Sequence, residues 1–242
     1  MALFGSSQGK KTSLTVLITG ANRGLGLGLV KAFAGRGDRV LAACREPEQA
    51  SALQALPLTS GKAISVYRMD VTDPASIAAA RALIGDRPVD GLINNAGVIG
   101  PARQTSLDMD FDGFAETLAV NTLGPLRVTQ AFLPNLRAAS QPKILAISSR
   151  MGSFASSGTD RVAYRASKAA LNRAMHALAR DLEPEGIAVG VVHPGWVRTG
   201  IGGPSAELSA DESAGDLLKI FDALSVASTG RFVNYDGSEI AW

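Results

Sequence analysis

Cysteine, histidine and charge are scarce in this chain of 242 residues, and each shortage excludes something. The one cysteine, Cys44, cannot form an intramolecular disulfide, so a disulfide scaffold is out. With only His176 and His193 to join it, no Cys/His spacing suits a metal, and none is expected. Charged residues make up 19% of the chain, 24 basic against 22 acidic, with no concentrated basic tract. Nucleic acid is therefore not an expected partner. Long apolar runs are missing too. No stretch approaches the ~18 consecutive apolar residues of a membrane span, and the first thirteen residues hold none suited to a signal sequence. A cytoplasmic protein with no membrane partner is expected.

Apolar residues, by contrast, make up 46%, ample for a core and against general disorder. The length suits a single α/β sheet with helices on both faces. Residues 13–242 are expected to form one domain, with residues 1–12 a flexible extension. Short β-branched or apolar runs alternate with longer Ala/Leu-rich stretches of helical spacing, which is the mark of a parallel sheet. Candidate strands are Leu14 to Thr19, Arg39 to Ala43, Ala63 to Tyr67, Val89 to Ile93, Lys143 to Ser148, Ile187 to Val192 and a short one near Phe232. Their nearly continuous hydrophobicity suggests burial on both faces, as in a Rossmann-type doubly wound sheet of about seven strands.

Helix starts are signalled by Pro47, by Asp73 with Pro74, and by Ser209 with Glu212, a capping-box pair. Asp112 to Ala138 must hold one bent helix or two, because Gly124 and Pro125 interrupt it. Gly200 to Ser209, rich in Gly, Pro and Ser, suggests a mobile loop.

The first strand runs into Gly20, Ala21, Asn22, Arg23, Gly24, Leu25 and Gly26, and then a helix. Glycine there permits a tight turn and lets a phosphate reach backbone N–H groups at the positive helix end. The spacing is T-G-x-x-x-G-x-G. Tyr164 and Lys168 stand four residues apart on a predicted helix, on one face with a rise of about 6 Å. A phenol with a pKa of about 10 gives up protons poorly at neutral pH, but a neighbouring ammonium favours phenolate. Tyr164 is the candidate general acid, and the base in the reverse reaction, with Lys168 lowering its pKa.

TGANRGLG at 19–26, Asp70-Val71, NNAG at 94–97, Asn121, Ser148-Ser149, YRASK at 164–168 and HPGWVRT at 193–199 occur in order, each after a strand or on the following helix. Together they resemble the short-chain dehydrogenase/reductases over roughly residues 14–240. HPGWVRTGIGG and the ending GRFVNYDGSEIAW further resemble the C-factor-like and sniffer-like carbonyl reductases.

The resemblance implies Ser149 as the donor that stabilises the developing oxyanion, with Ser148 and Ser153 as weaker candidates. It implies that Lys168 binds the nicotinamide ribose, and that Asn121 bends its helix and holds a water linking Lys168 to solvent. Asp70 and Val71 would frame the adenine; Asn94, Ala96 and Gly97 the ribose and sheet edge. Pro194, Gly195, Val197 and Thr199 would bind the cofactor, Thr199 at the nicotinamide carboxamide. Gly200 stands where this branch often carries an acid. A homodimer or homotetramer is implied through the helices of 112–138 and 164–182, although some carbonyl-reducing members are monomers. His193 and Cys44 read as packing residues, His176 as a surface or interface residue.

NADP(H) is the expected cofactor. At the end of the second strand, where an NAD enzyme places a carboxylate, stand Ala43, Cys44 and Arg45; Arg23 and Arg45 suit a 2′-phosphate, and Glu46 is the one nearby acid. Val98, Ile99, Met151, Phe154 and Trp196 form the candidate substrate pocket, which points to a neutral, fairly hydrophobic aldehyde or ketone. Arg150 or Arg198 turned inward would instead anchor a carboxylate. Two other functions use the same residues or fold: an alcohol dehydrogenase working in the oxidative direction, and a non-catalytic dinucleotide-binding signalling protein, which has no need of Ser149, Tyr164 and Lys168 together.

Overall fold

Seven short runs of apolar residues pair into one parallel sheet, because strands covered on both faces by helices lose all contact with water. In chain order they are β1 Thr15–Thr19, β2 Arg39–Cys44, β3 Ile64–Arg68, β4 Gly91–Asn94, β5 Lys143–Ile147, β6 Ala188–His193 and β7 Phe232–Asn234. Their spatial order is β3-β2-β1-β4-β5-β6-β7. The computed structural model describes residues 13–56 and 63–242. The expected extension at 1–12 lies outside the described residues. The central strands are almost wholly buried, while the edge strand β3 alternates between partly buried and exposed positions.

Helices α1 Gly24–Gly35, the short α2 Ser51–Gln54 and α7 Ala210–Ala223 cover one face; α3 Pro74–Ile84, α5 Gly124–Arg137 and α6 Val162–Leu182 cover the other. Leu29, Phe33, Leu217 and Phe221 fill the first layer, with Phe33 and Phe221 edge to face at 5.2 Å between centroids. Val128, Phe132, Leu171 and Met175 fill the second. The expected helix signals act as read. The Asp73 carboxylate accepts the Ala75 N–H at 2.8 Å ahead of Pro74, and Ser209 and Glu212 form a reciprocal capping box.

α4 Phe111–Leu118 starts one residue before Asp112, with the Asp110 carboxylate accepting the Gly113 N–H at 3.0 Å. Between α4 and α5 the chain widens into a π-helical turn, Ala119–Leu123, directly before Gly124 and Pro125. Pro125 has no N–H to give, so the ladder is interrupted where the bend was expected. Asn121 sits inside this turn. Among the described residues, no helix is long and apolar enough to cross a membrane, and no group of three or more His, Cys, Asp or Glu is placed to hold a metal.

Candidate active site

The order of the sheet reverses between β1 and β4, and such switch points open a crevice at the carboxyl ends of the strands. The loop after β1 lies along that crevice. Gly20 and Gly24 hold φ of +64° and +53°, and a Cβ on Gly20 would stand 2.9 Å from the Ala96 Cα. Only glycine suits both positions. α1 then begins with Arg23 extended and no side-chain cap, so its first N–H groups have no side chain competing for them. Leu25 and Gly26 are buried in its first turn, Asn22 is partly buried and Arg23 is exposed.

The residue that holds this loop is Asn95, which sequence reasoning passed over. Its Nδ2 donates to the Thr19 and Gly20 carbonyls at 2.8 and 3.2 Å, while Thr19 Oγ1 accepts the N–H groups of Asn95 and Ala96. Asn94, expected along the ribose, turns its side chain into the core instead. There its Nδ2 donates to Thr129 Oγ1 at 3.2 Å, because successive strand residues face opposite sides.

At the outer end of the crevice, Asp70 accepts both the N–H and the hydroxyl of Thr72. Burial alone would raise its carboxyl, but the Thr72 bonds and the nearby Arg45 charge outweigh that and hold it low. Val71 packs beneath Gly124. Arg45 and Glu46 are both exposed, and Glu46 opens the short turn Pro47–Gln49. Cys44 is a buried core residue whose thiol burial pushes up.

At the inner end, Ser149, Tyr164 and Lys168 are 6%, 7% and 4% exposed and Asn121 is fully buried. Lys168 Nζ donates to the Ile147 carbonyl at 2.8 Å and lies 5.8 Å from the Tyr164 ring centroid. Burial lowers its pKa to about 8. The phenol moves opposite to expectation. Burial raises the Tyr164 pKa, and the groups that pull it back are Ser149, through a hydrogen bond, and the Arg161 charge, not Lys168. Desolvating a phenolate here costs more than those neighbours return.

Asn121 Oδ1 accepts the Val98 N–H, and its Nδ2 donates to the Val98 carbonyl and to Ser167 Oγ. Its side chain thus fixes the start of the segment that carries Gly97, Val98 and Ile99. A Cβ on Gly97 would stand 3.3 Å from Asn121 Oδ1 and 3.7 Å from Lys168 Nζ. Ser148 bonds Asn172 and Ser153 bonds the Ala241 carbonyl, which leaves Ser149 as the serine beside the phenol.

After β6, the Pro194 carbonyl accepts Ser213 Oγ at 2.7 Å, Gly195 holds φ +83° and Val197 is buried. Thr199 Cγ2 would be 3.2 Å from a Cβ on Gly24, so the base of this loop touches the glycine turn. His193 is pushed down to about 4, by burial first and the Arg150 charge second, and stays neutral at physiological pH. His176 packs its ring on Trp242 at 5.1 Å between centroids.

The expected substrate wall is only partly assembled. Val98, Ile99 and Met151 are partly buried and Trp196 is half exposed, its Nε1 donating to the Gly202 carbonyl at 2.8 Å. Phe154 is a correction: it is 90% exposed and borders a separate cavity of about 280 Å³ with Gly152, Ala169, Asn172, Arg173, His176 and Trp242. Of its α6 residues, Asn172 shares a face with Lys168 four residues earlier, whereas Ala169 and Arg173 point away from Tyr164.

The family model described as short chain dehydrogenase matches residues 14–209. Among known proteins, the C-signal of Myxococcus xanthus is 47% identical over 157 residues, 64% of this chain and 93% of that protein. The short chain dehydrogenase gsfK of Penicillium aethiopicum is 33% identical over 251 residues, 94% and 99% of the two chains. Among solved structures, an NADPH-bound carbonyl reductase from chicken fatty liver aligns with TM-score 0.89 at 35% identity, over 96% of this chain and 100% of that one. The carbonyl reductase Sniffer of D. melanogaster aligns over the same shares with TM-score 0.87 at 34% identity. The match over most of the chain, on a sheet of this order with this buried tyrosine and lysine, makes the protein a member of the short-chain dehydrogenase family and an oxidoreductase.

Proposed function

We propose that the protein reduces the carbonyl group of a neutral, fairly hydrophobic aldehyde or ketone, using NADPH. The carrying observation is the burial of Ser149, Tyr164 and Lys168 together at the carboxyl edge of the sheet, where a reacting carbonyl is shielded from water. The residues present fit a dinucleotide. The glycine turn leaves the space a Cβ would fill, α1 begins without a side-chain cap, and exposed Arg23 and Arg45 carry no competing carboxylate partner among the described ion pairs.

When bound, NADPH supplies a hydride to the carbonyl carbon. Ser149 and Tyr164 would hold the carbonyl oxygen, where negative charge develops. The Tyr164 phenol, raised by burial, is protonated at neutral pH and so has a proton to give. Lys168 would bind the ribose hydroxyls and return a proton toward the phenol; its pKa of about 8 lets it both hold and release one near neutrality. The water that would link Lys168 to solvent is assigned to the bend at Asn121. Homodimers or homotetramers in the cytoplasm complete the proposal, and a monomeric mass in solution would overturn that part.

The test is a screen of purified protein with NADPH against aldehydes, ketones and diketones, followed by cofactor oxidation. Turnover of neutral carbonyls supports the proposal. Turnover only of alcohols with NADP would favour the oxidative direction, and tight dinucleotide binding without any turnover would favour a signalling role.

A further inference from the structure

We infer, resting on the proposed role of Tyr164 as proton donor, that Gln104 is a positioning residue that caps the catalytic helix from a distance and ties it to the substrate wall. α6 has no cap of its own. Its N-cap residue, Arg161, makes no side-chain capping bond and holds the left-handed conformation, φ 51° and ψ 47°. That conformation is disfavoured for a non-glycine residue, so something outside the helix must favour it.

The first N–H groups of a helix have no partner within it. At α6 they belong to Val162, Ala163 and Tyr164, and Gln104 takes two of them. Its backbone carbonyl accepts the Val162 N–H at 2.8 Å, and its side-chain Oε1 accepts the Tyr164 N–H at 3.2 Å. The other end of the same amide faces the opposite wall. Nε2 donates to the Ile99 carbonyl at 3.1 Å and to the Pro101 carbonyl at 2.7 Å. Gly100, between those two acceptors, holds φ +92°, and a Cβ there would stand 3.1 Å from Gln104 Oε1.

Gln104 is 7% exposed, so these bonds meet little competition from water. One planar group therefore fixes the wall at Ile99 relative to the residue that donates the proton. A misplacement of about 1 Å between reacting groups can cost about 10²-fold in rate, and with the clamp intact neither side shifts without the other.

Gln104→Glu is the discriminating variant. A carboxylate of nearly the same shape still accepts the Tyr164 N–H but cannot donate to the Ile99 and Pro101 carbonyls. Turnover of the carbonyl substrate should fall about tenfold or more and its KM should rise, while the Kd for NADPH stays within about twofold. Gln104→Met, which removes both ends, should lose more. Hydrogen exchange by mass spectrometry supplies a readout independent of activity: in Gln104→Glu, segment 98–104 should exchange faster, with 161–168 and the central strands unchanged, and in Gln104→Met both segments should exchange faster with the central strands unchanged. Wild-type turnover and exchange in Gln104→Glu would overturn the inference. So would faster exchange across the whole sheet with NADPH binding lost in proportion, since that is general destabilisation. If the wild-type protein reduces no carbonyl, the proposed function fails while the exchange result still decides the clamp.

Discussion

Asn121 binds both backbone groups of Val98, accepting its N–H at 2.9 Å and donating to its carbonyl at 2.8 Å. A strand edge is mimicked by one side chain, and the segment leaving β4 is anchored to the π-helical turn. Asn121→Ala would leave the Val98 groups and Ser167 Oγ without this partner, at about 1–3 kcal/mol for each buried group left unpaired. Chemical denaturation should show a loss of at least about 2 kcal/mol, and KM for the carbonyl should rise more than the Kd for NADPH. Unchanged stability would mean that water replaces the amide fully.

The phenol has a separate test. Tyr164→Phe removes the hydroxyl proposed to donate the proton but keeps the buried ring, so the core around it is undisturbed. Turnover should fall by about 10²-fold or more, with NADPH binding retained by fluorescence titration. More than about a tenth of the wild-type rate, against a usual acid–base contribution of at least 10², would place the proton donor elsewhere.

Lys168 should cost the fold stability that its function requires. Its pKa is about 8 in the folded protein against an ordinary 10.5, because burial disfavours the ammonium. The unfolded chain therefore binds more protons between those values, and stability rises with pH across that window. The penalty is fully present below about pH 8. At pH 7, Lys168→Met should abolish turnover yet stabilise the cofactor-free protein by about 1–3 kcal/mol, an amount reduced by the lost bond to Ile147. The gain should shrink toward pH 10. Urea midpoints at the two pH values decide it, and a variant less stable than wild type at pH 7 refutes the sign.

Cofactor choice turns on Arg45, exposed at the end of β2 with its charge felt by Asp70. A 2′-phosphate there would gain charge-assisted hydrogen bonds of about 1.5–3 kcal/mol each. Arg45→Asp should cut kcat/KM for NADPH by about 10-fold to 100-fold and improve use of NADH. Equal efficiency with both cofactors in the wild type would remove the assignment.

The central strands are legible in the sequence to within a residue or two because both faces are buried, which leaves an apolar run with sharp ends. The capping pairs at Asp73 and Ser209 are legible because their partners lie two or three residues away. What stays hidden is long-range. Asn95 and Gln104 act on backbone groups of Thr19, Gly20 and Tyr164, some 60 to 76 residues distant, and an amide's sequence neighbours carry no trace of such partners. Asn94 and Asn95 are also interchangeable by composition; only the strand's alternation sends one into the core and the other to the glycine turn. Phe154 misleads for a related reason: an aromatic side chain beside a catalytic serine reads as a pocket wall, yet its direction depends on how the loop after β5 leaves the sheet. The rise of the Tyr164 pKa is likewise a property of the packed site, since burial has no signature in the Tyr-x-x-x-Lys spacing.

The loop after β6 carries the last prediction. Sequence suggests a mobile loop over Gly200 to Ser209, placed to act as a lid, but its ends are stitched: Leu208 pairs with Val197, the Leu208 N–H donates to the Trp196 carbonyl and the Arg198 N–H to the Leu208 carbonyl. The Arg198 guanidinium donates to the Ala206 and Glu207 carbonyls and faces Glu212 at 3.8 Å. Arg198 is thus committed to the loop and not offered to a substrate carboxylate. Arg150 is exposed beside His193 and is the one remaining candidate of the two. The exposed tip at Ile201, Pro204 and Ser205 is where a broad-specificity protease should cut first. Because Thr199 touches the glycine turn at Gly24, NADPH bound at that turn should slow the cut. Neutral aldehydes and ketones should be turned over in preference to keto acids, and Arg150→Ala should leave that order unchanged. Keto acids outperforming neutral substrates, with the advantage lost in Arg150→Ala, would show that Arg150 anchors a carboxylate and would defeat the apolar pocket even if the lid responds to NADPH as described.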